Sequence, residues 1–351
     1  MVLVLVSVLA GIASPAPNNA FDTVVFVCPA GRDYISVNKH TPKEVEMIDA
    51  SVQTNVKSLP VLPLTTTLGA VHIAVTDRAK ALAIWQDVVG LDLISETGNA
   101  LSMGIGGKVL IVLETGAIRP SVRNSLGLYH VAIHVPTRRA LAQMAVRALQ
   151  RNVRISPTDH LVSEAIYLWD FDNNGIEITF ETPWRGTLSD PETGTYATTV
   201  DGKPHSGRDP IDLDGLLAEL GEPAVLVDRM LEGTRIGHVH VHVRDLREAM
   251  NFYRDVVGFA GFLLIDSFGM GDVGLDYMPH TIAFNIWSGP AATQAPAGSA
   301  GLRWFTIQLP DAASFDGLKA RLEAAKAPVS DIAGGFETAD PSGNRIQVLR
   351  A

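Results

Sequence analysis

The sequence predicts an α+β protein made of four related units in two pairs, each unit combining several strands with one helix. Two observations lead to this prediction. Apolar alternation typical of a strand is followed, four times, by apolar residues at helical spacing. The start of the chain's second half also repeats that of the first at a constant offset, matching Asp77 with Asp245, and Trp85 with Tyr253. We therefore expect an internal repeat and not one long irregular domain.

The first two units read alike along the chain. In the first, the strand GAVHIAV starts at Gly69, the helix DRAKALAIWQDVVG stops at Gly90, and LDLISE, SMGI and KVLIVLE follow as strands. In the second, GLYHVAIHV is a strand and TRRALAQMAVRALQRN is an amphipathic helix. It closes with the strands AIYLW and GIEITF, which are separated by the turn DFDNNG.

The third and fourth units mirror the first and second. GHVHVHVRDLREAMNFYRDVVGF repeats the first strand and helix, and the passage from LRWFTIQLP to NRIQVLR repeats the second unit. A passage rich in Pro, Gly and Asp precedes them, and DLDGLLAEL within it predicts one short helix. We expect an N-terminal extension at 1–65, an N-terminal pair of units at 66–184, a linker with a short helix at 185–232 and a C-terminal pair at 233–351.

Composition narrows the class of partner. A formal net charge of −10 and a pI near 5.4 disfavour nucleic acid and anionic membranes, so a small molecule is the expected ligand. The single cysteine, Cys28, permits no internal disulfide. The first residues, MVLVLVSVLAGIASPAPNNA, are similar to the end of a secretory signal, but no Lys or Arg precedes Arg32. We expect a cytoplasmic protein, with export as the alternative if this apolar run acts as a signal.

Glu177 is the residue whose position is hardest to explain from the pattern alone. It lies inside the apolar alternation of IEITF. It either faces solvent from the polar side of its strand or is buried with a partner, because an unpaired carboxylate is costly to bury. The alternation of this strand is compatible with either position.

The repeated strand and helix starts, and the turn-then-strand endings DFDNNGIEI and DPSGNRIQV, resemble the vicinal oxygen chelate superfamily of glyoxalases, bleomycin-resistance proteins and extradiol dioxygenases. The resemblance covers roughly 69–350 and is closest to two-domain catechol 2,3-dioxygenase-like proteins. It implies βαβββ modules in which each pair forms a curled mixed sheet around a cleft, with the helices outside.

The resemblance also implies a metal site and its ligands. His72, His130 and Glu177 match ligand positions on first and last strands, a set suited to Fe(II), with Mn, Zn or Ni as alternatives. His160 is similar in placement to an acid/base histidine and Tyr167 to a hydrogen-bonding tyrosine near the metal. His72 departs from the pattern, because it lies two residues beyond the usual ligand position, which Ala70 occupies.

The C-terminal pair matches this ligand pattern less well. His238 and His240 indicate a second cleft, but Trp304 and Gln347 stand where another His and a Glu are expected, which predicts a degenerate site. The resemblance implies an extradiol ring-cleaving dioxygenase acting on a small aromatic substrate with O2, and it leaves homo-oligomerisation open.

Two alternatives share this fold. One is a metal-dependent glyoxalase- or epimerase-like lyase or isomerase, which needs a second carboxylate where Val112 stands. The other is a non-catalytic protein that binds a small molecule in the cleft.

Overall fold

The computed structural model describes residues 61–190, 195–275 and 278–351, and it confirms the α+β fold of four βαβββ modules in two curled mixed sheets. The expected N-terminal extension, its apolar run and Cys28 lie outside the described residues, apart from the last five residues of the extension, 61–65.

Each module runs strand, helix and three further strands. Module 1 comprises β1 (Thr67–Val75), α1 (Arg78–Trp85), β2 (Asp92–Thr97), β3 (Ala100–Ile105) and β4 (Lys108–Thr115). Module 2 comprises β5 (Gly127–His134), α2 (Arg138–Gln150), β6 (Ser156–Asp159), β7 (Ser163–Trp169) and β8 (Gly175–Glu181). Each of the strands and helices expected in these two modules is present.

The second half of the chain repeats this order after a connecting segment. That segment carries β9 (Gly186–Asp190), β10 (Thr195–Thr199), β11 (Pro204–His205) and α3 (Leu213–Ala218). Module 3 comprises β12 (Arg235–His242), α4 (Leu246–Asn251), which continues as a π-helical turn (Phe252–Val257), β13 (Ala260–Ile265), β14 (Met270–Leu275) and β15 (Met278–Asn285). Module 4 comprises β16 (Gly301–Leu309), α5 (Ala312–Ala324), β17 (Ser330–Ile332), β18 (Gly335–Ala339) and β19 (Arg345–Arg350).

The helix of every module starts at a side chain that accepts a backbone N–H of the first turn. These N-caps are Asp77, Thr137, Asp245 and Asp311. Such a cap satisfies a donor that the helix itself leaves unpaired. The four caps define equivalent positions in the four modules.

The two sheets pair modules 1 with 4 and 2 with 3. The strand orders are β17-β18-β19-β16-β1-β4-β3-β2 and β13-β14-β15-β12-β5-β8-β7-β6, and the first strands of paired modules run antiparallel at the centre of each sheet. This corrects the expectation that 66–184 and 233–351 each form a pair. Similar modules present similar first strands, so the local sequence pattern fits either pairing.

Consecutive modules are nevertheless joined by matching contacts outside the sheets. Trp85 Nε1 donates to Asp170 Oδ2 at 3.2 Å between modules 1 and 2, and Tyr253 Oη donates to Asp340 Oδ2 at 3.0 Å between modules 3 and 4. All four residues are buried. These contacts hold modules 1 and 2 together, and modules 3 and 4, although the members of each couple belong to different sheets.

The connecting segment carries more structure than the sequence predicts. The short helix α3 is confirmed, but β9, β10 and β11 form a small antiparallel sheet where a linker was expected. Isolated backbone pairing between Asp159 and Asp209 ties this segment to the end of β6. The segment therefore lies against module 2.

The longest helices, α2 and α5, have 13 residues each, and no helix in the described ranges has the length and apolar character needed to cross a membrane.

Candidate metal centre

Three side chains converge on one face of the second sheet, from the adjacent strands β12, β5 and β8. Glu177 and His238 both stand beside Ala132 in the strand register, on opposite sides of β5. His130 lies two residues earlier on β5, so alternation turns it to the same face. Gly175 opens β8, where a Cβ would come within 2.0 Å of the carbonyl oxygen of Tyr129. Glycine at this position lets β8 lie close enough to β5 to bring in Glu177.

The ligand-bearing atoms of these three residues are close together. His130 Nε2 lies 2.8 Å from Glu177 Oε2, His238 Nε2 lies 3.1 Å from the same oxygen, and the two ring nitrogens are 3.1 Å apart. Three atoms bound to one ion at about 2.1 Å and at right angles would stand about 3 Å apart. The spacing therefore fits one triangular face of an octahedral metal site.

The chemistry of this set also suits a cation. Glu177, His130 and His238 are buried, and Glu177 Oε2 has no donor in hydrogen-bonding geometry despite its two close ring nitrogens. Burial lowers the pKa of His238 to about 3, which leaves a neutral imidazole able to donate a lone pair. His130, Glu177 and His238 thus form a set of three side chains that could hold a metal ion.

Thr179 and Tyr167 are the side chains that neighbour the carboxylate of Glu177. Thr179 Oγ1 donates to Glu177 Oε1 at 3.0 Å, so Oε2 is the oxygen turned to the two histidines. Tyr167 stands opposite Glu177 in the register of β7 and β8, and its ring centroid is 5.5 Å from that of His130. Burial and then the charge of Glu177 raise the pKa of Tyr167 well above its ordinary value. The phenol stays protonated beside the site.

His160 accepts a hydrogen bond from the phenol of Tyr167. Its Nδ1 lies 2.6 Å from the carbonyl oxygen of Gly207, which can only accept, so Nδ1 carries the hydrogen. Burial lowers the pKa of His160, so the ring is neutral and Nε2 is an acceptor. Tyr167 Oη lies 2.9 Å from Nε2 and donates to it. The sequence identified both residues, and the structure brings them together beside His130 and Glu177.

A second polar group, His280 with Asp272, lies next to His238 on the side away from β5. His280 forms an ion pair with the buried carboxylate of Asp272, and its ring is 5.6 Å from that of His238. Burial would lower the pKa of His280, but the charge and hydrogen bond of Asp272 raise it instead. Neither residue could be singled out from the sequence, because a lone histidine and a lone aspartate on neighbouring strands have no distinguishing spacing.

His240 is not one of the three converging side chains, but it packs beside them. Asn285 Nδ2 donates to His240 Nε2 at 2.8 Å, and His242 Nδ1 donates to Asn285 Oδ1 at 2.7 Å. The ring of Tyr129 packs 4.9 Å from the rings of both His130 and His240. The second cleft expected from His238 and His240 is therefore the same cleft as that of His130 and Glu177.

The structure places His72 elsewhere. It lies on β1 in the first sheet, where its ring stacks on Trp304 at 4.1 Å, and it is paired across the strands with Trp304 and Val112. Burial lowers the pKa of His72 to about 4. This corrects the grouping of His72 with His130 and Glu177, and the physical reason is the pairing of module 1 with module 4. His238 occupies the place that the sequence assigned to His72.

Equivalent positions show why only one sheet presents a ligand set. Counted back from the helix N-caps, the positions equivalent to His130 and His238 in the first sheet are Ala70 and Trp304. The positions that match Glu177 in strand register are Ala283 in its own sheet, and Val112 and Gln347 in the other. The degenerate cleft is therefore that of modules 1 and 4, not that of modules 3 and 4.

Fold and site together define a protein of paired βαβββ modules with a side-chain set suited to a divalent metal. The model of the Glyoxalase/Bleomycin resistance protein/Dioxygenase superfamily matches residues 67–180 and 235–348. The chain belongs to this superfamily, which confirms the resemblance read from the sequence.

Individual relatives agree with this assignment. A catechol-2,3-dioxygenase of Bacillus subtilis (strain 168) is 32% identical over 281 residues, which cover 79% of this chain and 94% of that protein. Two similar crystal structures share only the fold at their low identities. A proposed dioxygenase of Bacillus subtilis subsp. subtilis strain 168 has a TM-score of 0.55 at 14% identity, covering 81% of this chain and 85% of that one. Glyoxalase I of Zea mays has a TM-score of 0.51 at 12% identity, covering 82% and 92%.

Proposed function

We propose that the chain is an extradiol dioxygenase that uses Fe(II) and O2 to open the ring of a catechol-type substrate. The observation that carries the proposal is the convergence of two imidazoles and one carboxylate. The position on β15 that corresponds to Glu177 is Ala283, which cannot bind a metal, so the set has three protein ligands. Two histidines and one carboxylate with open positions are the ligands typical of non-haem Fe(II) oxygenases. The similarity to a catechol-2,3-dioxygenase over most of both chains supports the same reaction class.

The overall reaction breaks the ring bond beside one hydroxyl and places both atoms of O2 in the product. His130, Glu177 and His238 would hold Fe(II), which supplies open coordination positions for substrate and O2 and favours ionised substrate oxygens. The protein must therefore take protons from the two hydroxyls and later return them.

Tyr167 and His160 are suited to move one such proton. The phenol of Tyr167 donates to His160 Nε2, so a proton from a substrate hydroxyl can enter at Tyr167 Oη as the phenol proton passes to His160. The carbonyl of Gly207 holds the other ring nitrogen and stabilises the imidazolium that results. Return of the proton follows the same path in reverse.

His280 is suited to act from the opposite side. Its ion pair with Asp272 favours the protonated ring, and His238 separates it from the His160 side. A protonated imidazole here can donate a hydrogen bond or a proton to an oxygen atom that gains negative charge.

The lyase or isomerase alternative has less support. Proton abstraction from carbon would need a second carboxylate facing the ligand set. The equivalent position on the last strand of module 3 is Ala283, which is buried and cannot act as a base.

The test combines metal content with ring cleavage. Protein loaded anaerobically with Fe(II) should bind about one iron per chain and convert catechol to a yellow product with O2 uptake. Glu177→Ala should lose both properties, whereas Gln347→Ala, at the equivalent position of the other sheet, should keep both. Zinc or nickel retention without O2 uptake would favour the alternative.

The pairing of modules gives a second, sharper comparison. His238→Ala should lose iron, and His72→Ala should retain it, because only His238 lies with His130 and Glu177. The opposite pattern would contradict the proposed ligand set.

A further inference from the structure

Arg208 is a positively charged residue beside the proposed proton path that forms no ion pair with any described residue. It follows Gly207, whose carbonyl holds His160, and its backbone N–H donates to Ser206 Oγ at 2.9 Å. The nearest carboxylate in sequence, Asp209, is engaged with Ser206 and with His205 at 3.2 Å. The guanidinium of Arg208 is exposed and remains available to a ligand.

The position of that guanidinium is set by an aromatic wall. Its Cζ lies 3.9 Å from the ring centroid of Phe268, in the turn between β13 and β14. Phe268 packs 5.2 Å from Trp287, and Trp287 packs 5.1 Å from Tyr129. Tyr129 in turn contacts the ring of His130. A continuous series of aromatic contacts thus leads from the proposed metal ligand His130 to Arg208.

Electrostatics connect Arg208 to the same cleft. Burial is the main cause of the lowered pKa of His160, and the charge of Arg208 adds to it. The charge of Arg208 also opposes the rise in the pKa of Tyr167 that burial and Glu177 produce. Since the chain carries a formal net charge of −10, an anion would be repelled from most of its surface. A local cation at this end of the wall reverses that preference.

We propose that Arg208 binds an anionic substituent of the substrate, so that the preferred catechol carries a carboxylate on the side of the ring away from its two hydroxyls. This inference rests on the proposed ring-cleavage function and names the substrate class of that site. Guanidinium groups bind carboxylates through paired, charge-assisted hydrogen bonds, and the contact with the ring of Phe268 restricts where this planar group can lie.

The test compares an acid with its neutral ester. Binding of 3,4-dihydroxyphenylacetate and of its methyl ester would be measured by calorimetry on Fe(II)-loaded protein without O2. Wild-type protein should bind the acid at least about tenfold more tightly than the ester, with a preference that weakens as salt is added. Arg208→Gln should remove the preference and Arg208→Lys should keep part of it.

A matched control separates the local charge from the net charge. Arg78→Gln removes one positive charge from helix α1 of module 1, where Arg78 pairs with Glu96 of β2, and should keep the full preference for the acid. Equal binding of acid and ester by wild-type protein would overturn the inference while leaving ring cleavage of catechol itself untouched. Equal weakening of both probes in Arg208→Gln would also overturn it, since Arg208 would then only connect the linker to Phe268. Binding of neither probe would count against both proposals.

Discussion

The phenol of Tyr167 has one proton and two neighbours that could receive it, the carboxylate of Glu177 and the imidazole of His160. The hydrogen bond from His160 Nδ1 to the carbonyl of Gly207 decides between them, because it leaves Nε2 of a neutral ring free to accept. Glu177 keeps its lone pairs for the two histidines. A single backbone carbonyl in the connecting segment therefore sets the direction of the proposed proton path.

Tyr167→Phe should separate metal binding from proton transfer. The variant keeps all three proposed ligands, so iron content should match that of wild-type protein, while kcat/KM for catechol should fall by roughly 100-fold or more. The control is Tyr253→Phe, which removes a buried phenol from Asp340. It should keep activity and lose about 1–3 kcal/mol of unfolding free energy in urea titrations. Loss of iron in Tyr167→Phe would contradict the assigned role.

Most residues of the proposed site could be named from the sequence, but their grouping could not. His130, Glu177, His160 and Tyr167 lie within one module, so their spacing along neighbouring strands sufficed to relate them. His238 comes from a module that pairs across the chain, and no local pattern records that pairing. The partner of His280, Asp272, was missed because an acidic residue on a strand has no distinguishing spacing.

At the scale of elements, an arginine from the next module binds carbonyls of the turn that follows α1 and of the π-helical turn that follows α4. Arg147 donates from Nε to the carbonyl of Val88 and from Nη2 to that of Val89, at 2.9 and 2.7 Å. Arg321 makes the same pair of bonds to Val256 and Val257. These bonds give donors to backbone carbonyls that would otherwise be buried without a partner.

Arg147→Met should destabilise the protein through those carbonyls. Burial lowers the pKa of Arg147 to about 10, so it remains charged at neutral pH and its loss leaves buried acceptors without donors. The unfolding free energy should fall by roughly 2 kcal/mol or more. Arg151→Met, at the exposed end of the same helix, should change it by less than about 0.5 kcal/mol. Urea denaturation of both variants measures the difference, and equal effects would contradict this role.

The elements themselves were predictable because each has a local cause. Asp77, Asp245 and Asp311 are N-cap residues at the start of apolar helical spacing, and the strands alternate as half-buried strands do. The small sheet of β9 to β11 was not predicted, since its short strands carry Gly, Pro and Asp and lack an apolar alternation.

For the molecule as a whole, acid should be destabilising because several buried or partly buried histidines are neutral in the folded state. Burial lowers the pKa of His72, His160, His238, His240 and His242. Below pH 6.5 the unfolded chain binds protons that the folded chain does not, so stability falls as pH drops. His280 opposes this trend, because its pKa is raised.

His72 offers a way to measure one contribution apart from the metal. Its pKa is lowered from 6.5 to about 4, so the stability that it contributes at neutral pH is lost across that interval. His72→Phe should therefore lose less stability than metal-free wild-type protein between pH 6.5 and pH 4 in urea titrations. Parallel curves for the two proteins would show that His72 titrates normally when folded.

Metal removal should also register in global stability. A ligand present at a thousand times its dissociation constant stabilises the folded state by about 4 kcal/mol. Chelation of Fe(II)-loaded protein should therefore lower Tm by several degrees in a thermal scan. Glu177→Ala should show no such shift on chelation, because it retains no metal. A shift of equal size in that variant would place the stabilising ion elsewhere.

The pairing of β1 with β16 has a consequence for synthesis on the ribosome. His72 and Trp304 are cross-strand neighbours, so one edge of β1 cannot be completed until module 4 has emerged. At about 5–20 residues per second, that edge would wait on the order of 10 to 50 s with unpaired backbone donors and acceptors. Modules 2 and 3 complete their sheet earlier. The unpaired edge of β1 therefore persists longer than that of β5 while translation continues, and an unpaired strand edge favours aggregation.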